Sequence, residues 1–174
     1  MSVSQLLSWL GVGEARDDKE TTPLRELVET LDRLDPARAR YLARFAYLLG
    51  RVAHADRQVS PEETRAMEAL VVREGGLTAD QATVVVGLAK TSNLLFGGTA
   101  DYQVALEFAE AATYAEKLSL GRCLFAVASS DQQISMPEEA EIHRILNQLR
   151  ILPEDLTQLR VEHGRYLPGR ARSD

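Results

Sequence analysis

The chain has 174 residues and a formal charge of −6, from 20 Lys plus Arg against 26 Asp plus Glu. At 45% hydrophobic and 26% charged residues it has a globular composition, and a chain this long buries roughly 70% of its unfolded surface without disulfides or structural metal. The acidic balance argues against a generic duplex nucleic-acid binder, and the single cysteine, Cys123, excludes an internal disulfide or a four-cysteine zinc site.

No stretch approaches the ~18 consecutive apolar residues of a membrane span. Residues 1–10, MSVSQLLSWL, lack the positive n-region of a secretory signal. A cytoplasmic location is expected. Val3, Leu6, Leu7 and Leu10 have the spacing of a short amphipathic helix with Trp9 beside them, ended by Gly11 and Gly13. Docking on its own domain or on a neighbouring subunit is the favoured use of that helix. A peripheral membrane contact is the lesser reading, because no Lys or Arg flanks the apolar face. Residues 14–22, EARDDKETT, carry no apolar period and read as a linker, so segment 1–22 stands apart from a domain over 23–167.

From residue 23 the pattern is helical throughout. Pro23 opens a helix to about Leu34 with Leu24, Leu27, Val28 and Leu31 on one face. Asp35 caps the next, Pro36 starts it, and Tyr41, Leu42, Phe45, Leu48, Leu49 and Val52 form its stripe. Ser60 and Pro61 begin a third, with Met67, Leu70 and Val71 inward and Gly75-Gly76 as its stop. A fourth spans about 78–92; its β-branched run Thr83-Val84-Val85-Val86 is the one strand-like signal, and it lies between helix formers. After the break at Gly97-Gly98-Thr99, helices are predicted near 101–112, 114–129, 136–149 and 154–163, before a flexible tail over 168–174.

A shift of 75 places lays VAHADRQVSPEE (52–63) on VASSDQQISMPE (127–138), with six of the twelve positions identical. The register continues on both sides. Phe45, Leu48 and Leu49 meet Leu120, Cys123 and Leu124, while Met67, Leu70 and Val71 meet Ile142, Ile145 and Leu146. Inward positions fall on inward positions, which predicts two copies of a three-helix unit over about 37–92 and 112–167. Neither copy covers its own apolar face, so the two are expected to pack around an approximate two-fold axis.

Each copy places Asp-x-Gln-(Val/Ile)-Ser-x-x-Glu at a helix corner. Asp56 and Asp131 follow the end of a long helix, and Glu63 and Glu138 sit in the first turn of the next. Ser60 with Glu63, and Ser135 with Glu138, have capping-box spacing, so capping and ligation compete evenly for the glutamates. The aspartates are different, because a helix C-terminus is a poor place for a carboxylate and calls for a compensating group. Arg57, a turn N–H or a metal ion would each serve. The loop is not an EF-hand, since the twelfth position holds Met67 or Ile142 where calcium loops need glutamate. Brought together between the copies, Asp56, Glu63, Asp131 and Glu138 would repel one another. A hard divalent cation, calcium or magnesium rather than zinc, would relieve that repulsion.

An Ala-x-x-Asp helix end, an apolar residue and Ser in the turn, then Glu seven after the Asp, resembles the tellurite-resistance TerB-like family. The residues that carry the likeness are AHADRQVSPEE (53–63) and ASSDQQISMPEE (128–139), and it extends over about 23–167. Arg57 and Gln132 stand where the family's usual pattern has glycine. The resemblance implies an all-α, compact bundle of about seven helices, here built from the two pseudo-two-fold-related repeats. It also implies an acidic metal cluster at Asp56, Glu63, Asp131 and Glu138, and a role in bacterial stress responses to tellurite and other toxic agents. Related modules of the family occur in membrane-anchored co-chaperones and as adaptors. Four carboxylates with no clear base, nucleophile or pocket signature define no reaction, so a non-enzymatic module acting through protein partners is expected and a metal-dependent enzyme ranks last. A metal-free adaptor, in which the acidic corners only cap helices, is the alternative.

Among other residues, His54 has Ser129 as its counterpart and so gains no symmetric support as a ligand. Glu139 and His143 have the spacing of an ordinary helix-surface contact. Cys123 matches Leu48 and is expected in the core, and Leu94, Leu95 and Phe96 are expected to plug the junction between halves. No nucleophile elbow, phosphate loop or zinc-protease sequence occurs.

Overall fold

The computed structural model describes residues 22–53, 61–92, 99–130 and 133–168. They form eight α-helices and no strand among the described residues. The helices are α1 (Thr22–Asp32), α2 (Pro36–Val52), α3 (Pro61–Gly75), α4 (Ala79–Ser92), α5 (Thr99–Ala111), α6 (Tyr114–Ala128), α7 (Met136–Gln148) and α8 (Pro153–Glu162), followed by a 3-10 turn at Gly164–Tyr166. The fold is all-α, as the apolar periodicity predicts.

Local chemistry sets the boundaries. The Asp35 carboxylate accepts from the Ala37 and Arg38 N–H groups at 2.9 and 3.2 Å, satisfying donors that the first turn of α2 leaves unpaired. Thr113 and Glu116 form a capping box at the start of α6. Gly76, just past α3, has φ +64°, a left-handed conformation that glycine adopts at little steric cost. The β-branched run settles into α4, where Val84, Val85 and Val86 are all buried because α1, α2 and α3 pack around that helix. Tertiary burial here outweighs a weak strand propensity.

Phe45, Leu48 and Leu49 of α2, Phe108 of α5, Leu120, Leu124 and Phe125 of α6, and Ile142 and Ile145 of α7 are buried in one continuous core. Phe108 stacks on Tyr41 with ring centroids 5.4 Å apart and meets the edge of Phe45 at 6.4 Å. Cys123 is buried as expected, with its sulfur 3.1 Å from where a side chain on Gly75 would begin. Burial, reinforced by the Glu74 carboxylate, pushes the thiol up to about 12.

The 75-place shift lays α2 on α6, α3 on α7 and α4 on α8, and both Pro61 and Met136 are first helical residues. Contacts between the halves are reciprocal: α3 packs on α6, α7 packs on α2, and α2 meets α6. Contacts within the halves are unequal, since α4 packs on both α2 and α3 while α8 rests on α6. The helix between the copies, α5, lies across α2 and α7, and α1 lies across α4 and α2. Leu94, Leu95 and Phe96 lie outside the described residues, as does the N-terminal segment.

Candidate metal centre at the helix corners

The second corner is described from Gln133 onward. Ile134 is fully buried and its N–H donates to the Tyr166 carbonyl at 2.7 Å, so the apolar corner residue pins the chain beneath the 3-10 turn. Ser135 then takes extended backbone as the N-cap of α7. The Glu138 N–H donates to Ser135 Oγ at 3.3 Å, and the Ser135 N–H donates to Glu138 Oε2 at 2.7 Å. Both arms of the capping box form, so Glu138 caps its own helix. The cap uses one carboxylate oxygen, and a carboxylate carries lone pairs enough to accept more than one donor or cation.

Glu63 occupies the third position of α3, as Glu138 does in α7, and is exposed. Asp56 and Asp131, with Ser60 and His54, lie outside the described residues. Among the described residues no three His, Cys, Asp or Glu side chains gather as metal ligands. Any metal centre at the corners therefore depends on the two aspartates.

The helix packing relates the four positions across the halves. Glu63 is carried by α3, which packs on α6, the helix leading into Asp131. Glu138 is carried by α7, which packs on α2, the helix leading into Asp56. Each glutamate-bearing helix thus rests against the long helix of the opposite half.

A charged tie holds one of these crossings, and sequence reading missed it. Arg51, whose side chain is 9% exposed, donates through Nε to Glu141 Oε1 at 2.7 Å and through Nη1 to Gln148 Oε1 at 3.3 Å. It also reaches the Asp101 carbonyl at 3.4 Å, and the Tyr47 hydroxyl donates to Asp101 at 2.5 Å. Nearby, Arg44 pairs with Glu107 at 2.7 Å. Hydrogen bonding from Gln103 is the largest effect holding the Glu107 carboxyl below its usual range; partial burial opposes it, and Arg44 adds to it. None of these charged residues belongs to a sequence motif, and Arg51 lies off the α2 stripe of Tyr41, Leu42, Phe45, Leu48, Leu49 and Val52.

The Glu139–His143 contact expected from spacing gives way to a longer-range pair. Glu139 accepts from Arg160 Nε at 2.9 Å, joining α7 to α8, and His143 Nε2 is buried without a hydrogen-bond partner. His163 instead hydrogen-bonds the Leu159 carbonyl at 3.1 Å and stacks on Phe125 with centroids 5.3 Å apart.

The described residues form an all-helical bundle, and the sequence carries the same acidic pattern at 52–63 and 127–138. The chain belongs to the tellurite-resistance TerB family: the family model described as "Tellurite resistance protein TerB" matches residues 42–161, from within α2 to the end of α8 and across both corners. No curated protein and no solved structure matches the chain. No helix among the described residues is long and apolar enough to cross a membrane.

Proposed function

We propose that this chain is a non-enzymatic tellurite-resistance-type stress module that binds one hard divalent cation between its halves and acts through protein partners. The carrying observation is the reciprocal packing of each glutamate-bearing helix on the helix that leads into the opposite aspartate. Asp56, Glu63, Asp131 and Glu138 would supply the ligands, an all-oxygen set that suits calcium or magnesium better than zinc. The Ser135–Glu138 box supports the reading, because it fixes the second-half glutamate at its corner. Four carboxylates supply charge and affinity for a cation and by themselves define no reaction.

The test is calorimetric titration of chelator-stripped protein with calcium, magnesium, manganese and zinc, beside Asp56→Asn and Asp131→Asn. Saturable binding that both variants lose supports the site. No binding by the unmodified chain leaves the metal-free adaptor as the correct reading. Survival of cells lacking the protein on tellurite tests the physiological arm, and unchanged sensitivity would remove tellurite from the proposal.

A further inference from the structure

The two crossings between halves are built from different side chains. At the α2–α7 crossing Arg51 donates to Glu141 and Gln148, two turns apart on α7, and to the Asp101 carbonyl of α5. The 75-place shift puts Ala126, Ala66 and Ala69 where that crossing has Arg51, Glu141 and Arg144. Three alanines make no charged tie, so the lock at these places belongs to the α2–α7 crossing alone. It stands close to two of the four proposed ligands. Arg51 is in the last turn of α2, and Asp56 follows Ala53, the C-cap of that helix, by three residues, a span of at most about 11 Å. Glu141 follows Glu138 by three residues, about 4.5 Å along the axis of α7. Glu138 is already fixed to its own helix start by the bond to Ser135, so it moves with α7 as one piece. A planar guanidinium that engages α7 at both Glu141 and Gln148 resists sliding and rotation of α7 against the end of α2.

We infer that Arg51 is a positioning residue for the proposed cation site: by locking α7 to the end of α2 it holds the spacing of Glu138 and Asp56, and so keeps magnesium an acceptable occupant. The inference rests on the cation site proposed above. Magnesium demands near-ideal octahedral geometry with oxygens at about 2.1 Å, whereas calcium accepts a flexible shell at about 2.3–2.6 Å. Ligands carried on separate helices meet the stricter demand only where their supports are held rigidly. Loosening the lock therefore harms magnesium binding more than calcium binding.

The test titrates magnesium and calcium separately into the chelator-stripped full chain and into Arg51→Met with Glu141→Leu, an apolar exchange that removes the lock without stranding a charge. Arg44→Met with Glu107→Leu is the control, since it removes the pair between α2 and α5 two turns further from the corner. The lock variant should lose about tenfold or more in magnesium affinity and clearly less in calcium affinity, with the control unchanged. Arg51→Lys keeps the charge without the planar fork, so it should shift the same ratio by less, and it serves if the double variant folds poorly. Affinities for the two ions that stay unchanged in the lock variant, that fall together, or that fall equally in the control would overturn the inference while leaving the cation site standing. So would an unmodified chain that takes calcium but not magnesium. Binding of neither ion by the unmodified chain would remove the cation site itself, and this inference with it.

Discussion

The Arg51 guanidinium lies 2.5 Å from the Glu141 carboxylate and joins the end of α2 in the first half to α7 in the second. Glu141 also pairs with Arg144, so the cluster binds the halves through charge where the neighbouring core binds them through apolar contact. With side chains 9% and 19% exposed, the pair is shielded enough that removing one partner strands the other. Arg51→Ala should cost about 3 kcal/mol in denaturant unfolding, while Arg51→Met with Glu141→Leu recovers most of that loss. Equal losses in both variants would mean that packing, not charge, carries the contact.

At Gly121 the α6 backbone runs close to side chains of α7 and α8. A side chain beginning there would stand 2.9 Å from Leu159 Cδ1 and 3.1 Å from Leu146 Cδ2. Gly121→Ala forces both leucines to shift, and Gly121→Val should destabilise by about 3 kcal/mol through overpacking. Thermal melts of the pair should order as glycine, alanine, valine from most to least stable.

Alkaline pH should weaken the fold. Burial, then the Glu116 carboxylate, pushes Tyr41 up to about 12, and Cys123 rises to about 12 from its ordinary 9.0. Tyr47 is raised as well, by burial first and then by its hydrogen bond to Asp101. The folded chain holds these protons more tightly than the unfolded chain, so their contribution is complete below about pH 9 and lost as pH climbs through about 12. Denaturation midpoints measured between these limits should fall, and Cys123→Ala should flatten the early part of the decline.

Capping and ligation at Glu138 can be separated by one atom. Glu138→Gln keeps an oxygen that can accept the Ser135 N–H, so stability should change by less than about 0.5 kcal/mol, whereas Ser135→Ala should cost about 1 kcal/mol. If Glu138 also binds metal, the glutamine variant should lose affinity while keeping its melting temperature. Retained affinity would confine Glu138 to the cap.

Most of the helix plan was legible because α2 and α7 carry one-sided apolar stripes and start at Asp35-Pro36 and at Ser135. Cys123 was placed inward correctly because the repeat set it on Leu48. The Arg51–Glu141–Asp101 tie was not legible, since its members are 50 and 90 residues apart and none of them belongs to a sequence motif. Glu139 was paired with the wrong partner for the same reason: i,i+4 spacing points to His143, but the packing of α8 on the bundle delivers Arg160. At the corners, the spacing of Ser135 and Glu138 foretold the capping box, because that contact is local.

The account stands most directly on the number of ions bound per chain, measured by equilibrium dialysis of chelator-stripped protein against calcium or magnesium. A shared centre between the halves predicts one ion per chain, abolished by Asp56→Asn alone and equally by Asp131→Asn alone. Two ions per chain, with each variant removing one and sparing the other, would show two independent corners and contradict it.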